Sequence, residues 1–142
     1  MSESAMRQTL VKAMRALDAV PIENKLKSGT PDVNYMYGWM ELKWLRTWPK
    51  QGAPVKIRHY TKQQRHWLRR HGRRGGVALL VLQVRAQWLF FHWSEGARDE
   101  VGVVYTQQEL EQLAALHLRN GLRQRELLSW LNSHRPQANG CF

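Results

Sequence analysis

The sequence has one cysteine, few acidic residues and no long hydrophobic run, and each shortage excludes a class of protein. The single cysteine, Cys141, rules out a disulfide scaffold and a cysteine-rich zinc site. The longest apolar run, Val77–Leu82, has the length of a strand and is far shorter than a membrane span. The first ten residues are polar and lack the apolar core of a signal peptide, so we expect an intracellular protein.

Positive charge is what the sequence has in excess. Its 142 residues include 22 Lys and Arg against 11 Asp and Glu, which gives a net charge of +11. No acid occurs from Leu42 to Ser94, and this stretch holds 12 Lys and Arg, eight of them within Lys56–Arg74. Nucleic acid is the expected partner, because phosphate contacts need clustered cations. A basic surface that serves solubility alone is the alternative.

Apolar spacing, turn residues and capping patterns predict one mixed α/β domain over residues 1–142. The expected helices cover residues 5–19, 61–71, 106–119 and 122–133, and the expected strands cover 22–27, 33–37, 39–45, 77–84 and 87–93. Thr61 with Gln64, and Thr106 with Glu109, have the spacing of a capping box. The predicted order is α-β-β-β-α-β-β-α-α, a mixed sheet flanked by helices.

Asp32, Glu41 and Lys43 carry the functional prediction. If residues 39–45 form a strand, the side chains of Glu41 and Lys43 project from the same face, and Asp32 reaches that place from the turn before the preceding strand. Carboxylate oxygens suit a hard cation such as Mg²⁺ or Mn²⁺ rather than zinc. Two carboxylates and a lysine are what metal-assisted hydrolysis of a phosphodiester needs.

The run Pro31-Asp32, eight residues and then Glu41-Leu42-Lys43 resembles the motif of the PD-(D/E)XK nuclease superfamily. The longer stretch from residue 22 to residue 43 is similar to small phage-encoded members, which are related to virus-type replication-repair nucleases and Holliday junction resolvases. The resemblance covers about residues 1–90. We therefore expect a restriction-endonuclease-like core over residues 1–93 and a C-terminal helical extension over residues 94–142.

The resemblance implies a role for each residue that matches the motif. Asp32 and Glu41 would bind the divalent metal, and the backbone carbonyl of Leu42 would complete its ligands. Lys43 would be the catalytic lysine. Two structural alternatives stand beside these roles: Asp32 merely caps a turn, and Glu41 with Lys43 forms an exposed cross-strand charge pair.

Two further assignments follow from the resemblance. Gln64 lies in a Thr-x-x-Gln-x-x-Trp pattern that many relatives place at the active site, although a capping box explains the same residue without catalysis. Resolvase-like members often add a glutamate from the first helix. In this chain Glu3 and Glu23 are the two candidates for that additional metal ligand, and the choice between them stays open.

The predicted helix over residues 61–71 and its flanks supply candidate phosphate contacts. This set comprises Arg58, Lys62, Arg65, Arg69, Arg70, Arg73 and Arg74. An ordinary solvated helix face is the alternative, and the lack of acids nearby favours nucleic acid. Trp44 and Trp48 are candidates for stacking on unpaired bases, with packing in the core as the alternative.

The expected function is that of a Mg²⁺- or Mn²⁺-dependent DNA endonuclease. By family analogy its substrate is branched or structured DNA, such as a Holliday junction or a flap, and its place is the host cytoplasm if a phage encodes it. Resolvases cut paired strands, so the resemblance also implies a homodimer. A non-enzymatic nucleic-acid-binding accessory protein is the second hypothesis, and an RNA-directed nuclease is the third.

Overall fold

A six-stranded mixed sheet with helices on both faces forms the protein in the computed structural model, which describes residues 2–23, 25 and 27–136. The strands are β1 (Val20–Pro21), β2 (Val33–Tyr35), β3 (Gly38–Leu45), β4 (Val77–Val84), β5 (Gln87–His92) and β6 (Leu116–Leu118). The helices are α1 (Glu3–Ala13), α2 (Lys62–Arg73), α3 (Trp93–Gly96), α4 (Gln107–Leu113) and α5 (Gln124–Asn132). The predicted α/β class, with a mixed sheet and flanking helices, is confirmed.

The strands lie side by side in chain order, and β3 and β4 are the one parallel pair among them. Helix α2 makes the crossover between these two strands. Their register places Glu41 opposite Leu80 and Lys43 opposite Leu82. Both strands are eight residues long and nearly all of their side chains are buried or half-buried, so the middle of β3 lies at the centre of the molecule.

Two hydrophobic clusters cover the two faces of the sheet. Met40 and Leu42 of β3 face the cluster formed with α1 and α5. The opposite face packs against α2, α3 and α4, and Leu68 of α2 is completely buried there. Because side chains alternate along a strand, Glu41 and Lys43 project towards the α2 side, as predicted. No helix in the part of the chain that the structure describes is long and apolar enough to cross a membrane.

The first helix is shorter than predicted and the first strand comes earlier. Ser2 caps α1, and the chain then forms a 3₁₀ turn over Arg15–Leu17 and takes a left-handed conformation at Asp18 (φ 55°). The strand predicted over residues 22–27 is instead Val20–Pro21, paired with β2. Proline is tolerated at this position because β1 is an edge strand and its missing N–H removes no essential ladder bond.

The predicted helix over residues 106–119 is wrong in its second half. The capping box of Thr106 and Glu109 is present, but α4 ends at Leu113 and β6 follows on the edge of β5. Residues 94–142 were expected to be a helical extension. Their described part contains the helices α4 and α5 and also adds the strand β6 to the sheet, and α5 adds Leu127 and Leu131 to the buried core.

Candidate active site

Strand β3 delivers Glu41 and Lys43 to the α2 face as a buried pair. Their side chains are 2% and 5% exposed, and Oε2 of Glu41 lies 3.4 Å from Nζ of Lys43. The lysine ammonium also donates a hydrogen bond to the carbonyl oxygen of His59 at 2.9 Å. The alternative of an exposed cross-strand charge pair is therefore wrong, since both groups are buried and belong to the same strand.

Asp32 is fixed beside this pair by hydrogen bonds to β3. Its backbone N–H donates to the carbonyl of Met40 at 3.0 Å, and its Oδ2 accepts from the backbone N–H of Leu42 at 2.9 Å. The carboxylate thus engages the strand that carries Glu41, rather than capping its own turn. The convergence of Asp32, Glu41 and Lys43 that the sequence predicted is present.

Lys25 is a member of this group that the sequence interpretation missed. Its Nζ lies 2.7 Å from Oδ1 of Asp32 and forms an ion pair with it. The backbone N–H of Ile22 donates to the carbonyl of Asp32 at 2.8 Å, which brings the chain on the N-terminal side of Lys25 next to Asp32. A lysine in a loop that closes on a motif aspartate is the sequence signal that would have pointed to it.

The two carboxyl groups differ in their proton affinity. Burial and, after it, the negative charge of Asp32 together raise the pKa of Glu41 to about 8, against the opposing effect of Lys43. Burial also acts to raise the pKa of Asp32, but the bonds from Lys25 and from the N–H of Leu42 outweigh it and hold that pKa below its ordinary value. Burial in the folded protein thus disfavours the ionised form of Glu41, and a cation between the carboxylates would favour that form.

The donor atoms fit a hard divalent cation. Oε1 of Glu41 is buried and has no hydrogen-bond partner, although an unsatisfied carboxylate oxygen is costly in an interior. Over residues 2–23, 25 and 27–136 no group of three or more His, Cys, Asp and Glu side chains is arranged to hold a metal. Mg²⁺ needs no such cage, because it is commonly held by one or two carboxylates together with water and substrate phosphate.

Neither Glu3 nor Glu23 forms a metal-binding group of three with Asp32 and Glu41 among the described residues. Both side chains are exposed, and Glu3 lies in the first turn of α1. Glu23 was expected to lie on the first strand, but that strand ends at Pro21, before Glu23. Neither forms a hydrogen bond or ion pair with Asp32 or Glu41 in the described structure. The neighbouring charges that shift the pKa of Glu41 include those of Asp32, Lys43 and Lys25.

Gln64 forms the predicted capping box and lies where α2 meets the motif turn. Its Oε1 accepts from the N–H of Thr61 at 2.9 Å, and its own N–H donates to Oγ1 of Thr61 at 3.2 Å. Gly29 has φ +86°, and a Cβ added there would lie 2.4 Å from the carbonyl oxygen of Gln63. The turn that leads to Asp32 therefore rests directly on the first turn of α2. The side-chain amide nitrogen of Gln64 is not used by the capping box.

Arg65 was predicted to bind phosphate, and this prediction is wrong. Its guanidinium is buried, donates to the carbonyl oxygens of Arg98 and Val101, and lies 3.9 Å over the ring of Tyr60. Arginine suits this position because its planar fork satisfies several carbonyls at once and stacks on an aromatic face. Its function is to join α2 to the loop after α3.

Arg69 is also occupied by the protein itself. It donates to the carbonyl of Ala97 at 2.6 Å and forms a 2.8 Å ion pair with Asp99. The sequence interpretation relied on the lack of acids from Leu42 to Ser94, and Asp99 lies just beyond that stretch. The contact of Arg69 with DNA therefore stays a prediction, and it would require the guanidinium to exchange Asp99 for a phosphate.

The other five cations of the predicted set are exposed. None of the four ion pairs found among the described residues includes them. These five are Arg58, Lys62, Arg70, Arg73 and Arg74. Trp44 and Trp48 pack against the two hydrophobic clusters, which agrees with the core alternative rather than with base stacking.

Comparison with known proteins adds no relative to this description. No protein-family model matches the chain, and no curated protein matches it significantly. The functional conclusion therefore depends on the motif and on the geometry of Asp32, Glu41 and Lys43.

Proposed function

We propose that the protein is a divalent-metal-dependent DNA endonuclease of the PD-(D/E)XK type. The single observation that carries the proposal is the state of Glu41. One of its oxygens is buried without a partner beside a second carboxylate, on a face that also holds a lysine ammonium. A solvated charge pair or a structural ion pair explains neither the orphan oxygen nor the neighbouring acid. A bound Mg²⁺ or Mn²⁺ explains both.

Each of the three side chains has a definite task in this proposal. The carboxylates of Asp32 and Glu41 hold the ion, and the N–H of Leu42 fixes the orientation of Asp32. When bound, the ion lowers the pKa of a water molecule and offsets the negative charge of the phosphate. Lys43, anchored on the carbonyl of His59, holds a positive charge where a phosphate oxygen gains negative charge during attack by water.

The proposal includes a restriction-endonuclease-like core. In support, an antiparallel β1-β2-β3 unit presents the Glu-x-Lys pair on β3, and α2 connects β3 to the parallel strand β4. We include branched DNA as the substrate, by analogy with resolvases. Paired cuts on such a junction require two active sites, so a homodimer is part of the proposal, and light scattering measures it.

A non-enzymatic nucleic-acid binder is the second candidate. The net charge of +11 and the five exposed cations around α2 favour it as much as they favour a nuclease. It offers no explanation for the buried carboxyl group of Glu41 beside the second, partly exposed carboxyl group of Asp32. A binder should be indifferent to Mg²⁺, whereas a nuclease should cut only in its presence.

A panel digestion tests the proposal. The substrates are duplex, single-stranded, flapped and four-way-junction DNA, with a matched RNA hairpin, each with Mg²⁺, Mn²⁺ or a chelator. We expect cuts in DNA only with a divalent ion, and none by Asp32→Asn or Lys43→Ala. Lys12→Ala, an exposed charge change on α1, is the matched control and should cut normally. Binding without cleavage under every condition would favour the accessory protein, and cleavage of RNA alone would favour the third hypothesis.

Lys43 is buried, so its replacement needs a check on folding. Lys43→Gln keeps a polar group of similar length, and circular dichroism with DNA affinity in chelator shows whether each variant is folded. A folded Lys43 variant that binds DNA and cuts at the wild-type rate would contradict the catalytic assignment.

A further inference from the structure

A cleft lies beside the candidate active site, on the other side of the motif turn. It has a volume of about 260 Å³ and is formed by the start of that turn, at Lys27 and Ser28, and by one side of α2. Lys62, His66 and Arg70 stand at intervals of four along this helix, and all three line the cleft. Gln63 and Trp67 complete the lining.

The cleft is positively charged at its rim. Lys27, Lys62 and Arg70 are exposed, and none of them takes part in an ion pair found among the described residues. By contrast, the neighbouring Arg69 on the same helix is paired with Asp99. Among the residues that the structure describes, no acidic side chain lines the cleft. The rim therefore attracts an anion, and its three cations are free to contact phosphates.

Trp67 gives the cleft an aromatic surface held in place by its neighbours. The indole stacks on His71 with ring centroids 4.9 Å apart and planes inclined by 19°, and it meets the edge of Trp39 at 5.2 Å. Trp39 belongs to β3 and stands two residues before Glu41. An aromatic group fixed in this way is suited to stacking on a nucleobase without rearrangement.

The position of the cleft ties it to the proposed chemistry. Ser28 and Asp32 are four residues apart in the chain, so their Cα atoms are at most about 15 Å from each other. The close contact of Gly29 with the backbone of Gln63 fixes the turn between them on α2. A nucleotide held in the cleft is thus a near neighbour of a phosphate held at Asp32 and Glu41.

We propose that this cleft binds one unpaired nucleotide of DNA, with its base against Trp67 and its phosphate among Lys27, Lys62 and Arg70. A base inside a duplex is stacked on both faces and is closed to a protein ring, whereas an unpaired base in a bulge or flap is open. The inference rests on the proposed nuclease function and gives the enzyme a physical reason to prefer DNA with an interruption in its pairing.

Fluorescence of 2-aminopurine tests the proposal in chelator, where no cleavage occurs. Two probes are compared: a perfect duplex and the same duplex with one unpaired 2-aminopurine in a single-nucleotide bulge. We expect wild-type protein to bind the bulged probe about tenfold more tightly and to quench its emission through stacking. Equal affinity for the two probes, or binding without a change in emission, would overturn the proposal.

Variants assign the effect to the cleft. The double variant with Lys62→Ala and Arg70→Ala should abolish the preference for the bulge. The control is the double variant with Lys12→Ala and Arg125→Ala, which removes the same charge from α1 and α5 on the opposite face of the sheet and should preserve the preference. Trp67→Phe keeps an aromatic ring and should reduce the quenching. Quenching that is unchanged in Trp67→Phe, or a bulge preference that survives in the Lys62 and Arg70 variant, would contradict the assignment.

The nuclease proposal and the cleft proposal fail in different ways. Metal-dependent cutting with equal rates on perfect and bulged duplexes would overturn the cleft and leave the nuclease intact. No binding to any DNA and no cutting with Mg²⁺ or Mn²⁺ would overturn both.

Discussion

The ammonium of Lys25 lies 2.7 Å from Oδ1 of Asp32, so the side chain of a surface loop neutralises a carboxylate of the candidate metal site. Both side chains are partly exposed, at 31% and 22%. The arrangement supplies one positive charge to a site whose other carboxyl group, Glu41, has a raised pKa because of burial and the charge of Asp32. A divalent ion that binds Asp32 competes with this lysine.

Removal of the competing lysine should strengthen metal binding. A partly exposed ion pair is worth up to about 1 kcal/mol, so we expect Lys25→Met to lower the Kd for Mn²⁺ by up to about fivefold. Isothermal titration calorimetry measures this. Lys27→Met, two residues along the same loop and not in contact with Asp32, is the control and should leave the Kd unchanged. A weaker affinity in Lys25→Met would show that Lys25 supports the site instead.

Divalent metal should stabilise the fold through Asp32 and Glu41. At about one hundred times its Kd, a ligand that binds only the folded state adds about 2.7 kcal/mol to the free energy of unfolding. For a domain of this size the Tm should rise by roughly 8–10 °C. Differential scanning fluorimetry with Mg²⁺ and Mn²⁺ tests this.

Three variants test whether the rise of Tm comes from metal bound at Asp32 and Glu41. Asp32→Asn and Glu41→Gln should remove it, because each deletes a charged ligand while nearly keeping the shape of the side chain. Asp18→Asn is the control, since Asp18 is exposed and asparagine tolerates its left-handed conformation. An equal rise of Tm in all three would place the ion elsewhere.

Arg65 and Arg70 lie on the same helix and should respond to replacement in opposite ways. Arg65→Ala leaves two carbonyl oxygens and the face of Tyr60 without their partner. We therefore expect it to lower the free energy of unfolding by about 3 kcal/mol. Arg70→Ala removes an exposed side chain and should change stability by no more than about 0.5 kcal/mol. Urea denaturation compares them, and equal losses would refute the distinction.

Gly29 should tolerate no side chain. Gly29→Ala combines a left-handed backbone with a Cβ driven against the carbonyl of Gln63, whereas at Gly52, which has φ +83°, an added Cβ meets nothing within 4 Å. Gly52→Ala therefore measures the backbone strain alone, about 1 kcal/mol, and Gly29→Ala should cost roughly 1–3 kcal/mol more. Thermal unfolding distinguishes them. Similar losses in both variants would mean that the turn is not held against α2.

The parts of the fold that follow from local chemistry were predictable. The capping boxes at Thr61 and Thr106 are present as predicted, because each depends only on a side chain and an N–H three residues away. The alternation of side chains along β3, which is also a local property of the backbone, places Glu41 and Lys43 on one face. These local rules were enough to find the candidate site.

The features that depend on distant partners were not predictable. Leu116–Leu118 follows a helical pattern in the sequence, and the free edge of β5 converts it into β6. Arg65 has the spacing of a solvent-facing cation, and the carbonyls that bury it come from residues 33 and 36 positions away. A propensity rule has no access to such contacts, so tertiary structure overrides it.

The anchoring of α2 limits how far this protein can be shortened. Tyr60 bonds to the carbonyl of Gly96 at 2.8 Å, and Arg65 and Arg69 bond to carbonyls between Ala97 and Val101. A fragment that stops at residue 93 would keep Asp32, Glu41 and Lys43. It would lose the hydrogen bonds that hold α2 in place beside these residues. Shortened versions made for engineering should therefore retain the chain through α5, although Asp32, Glu41 and Lys43 all lie in its first third.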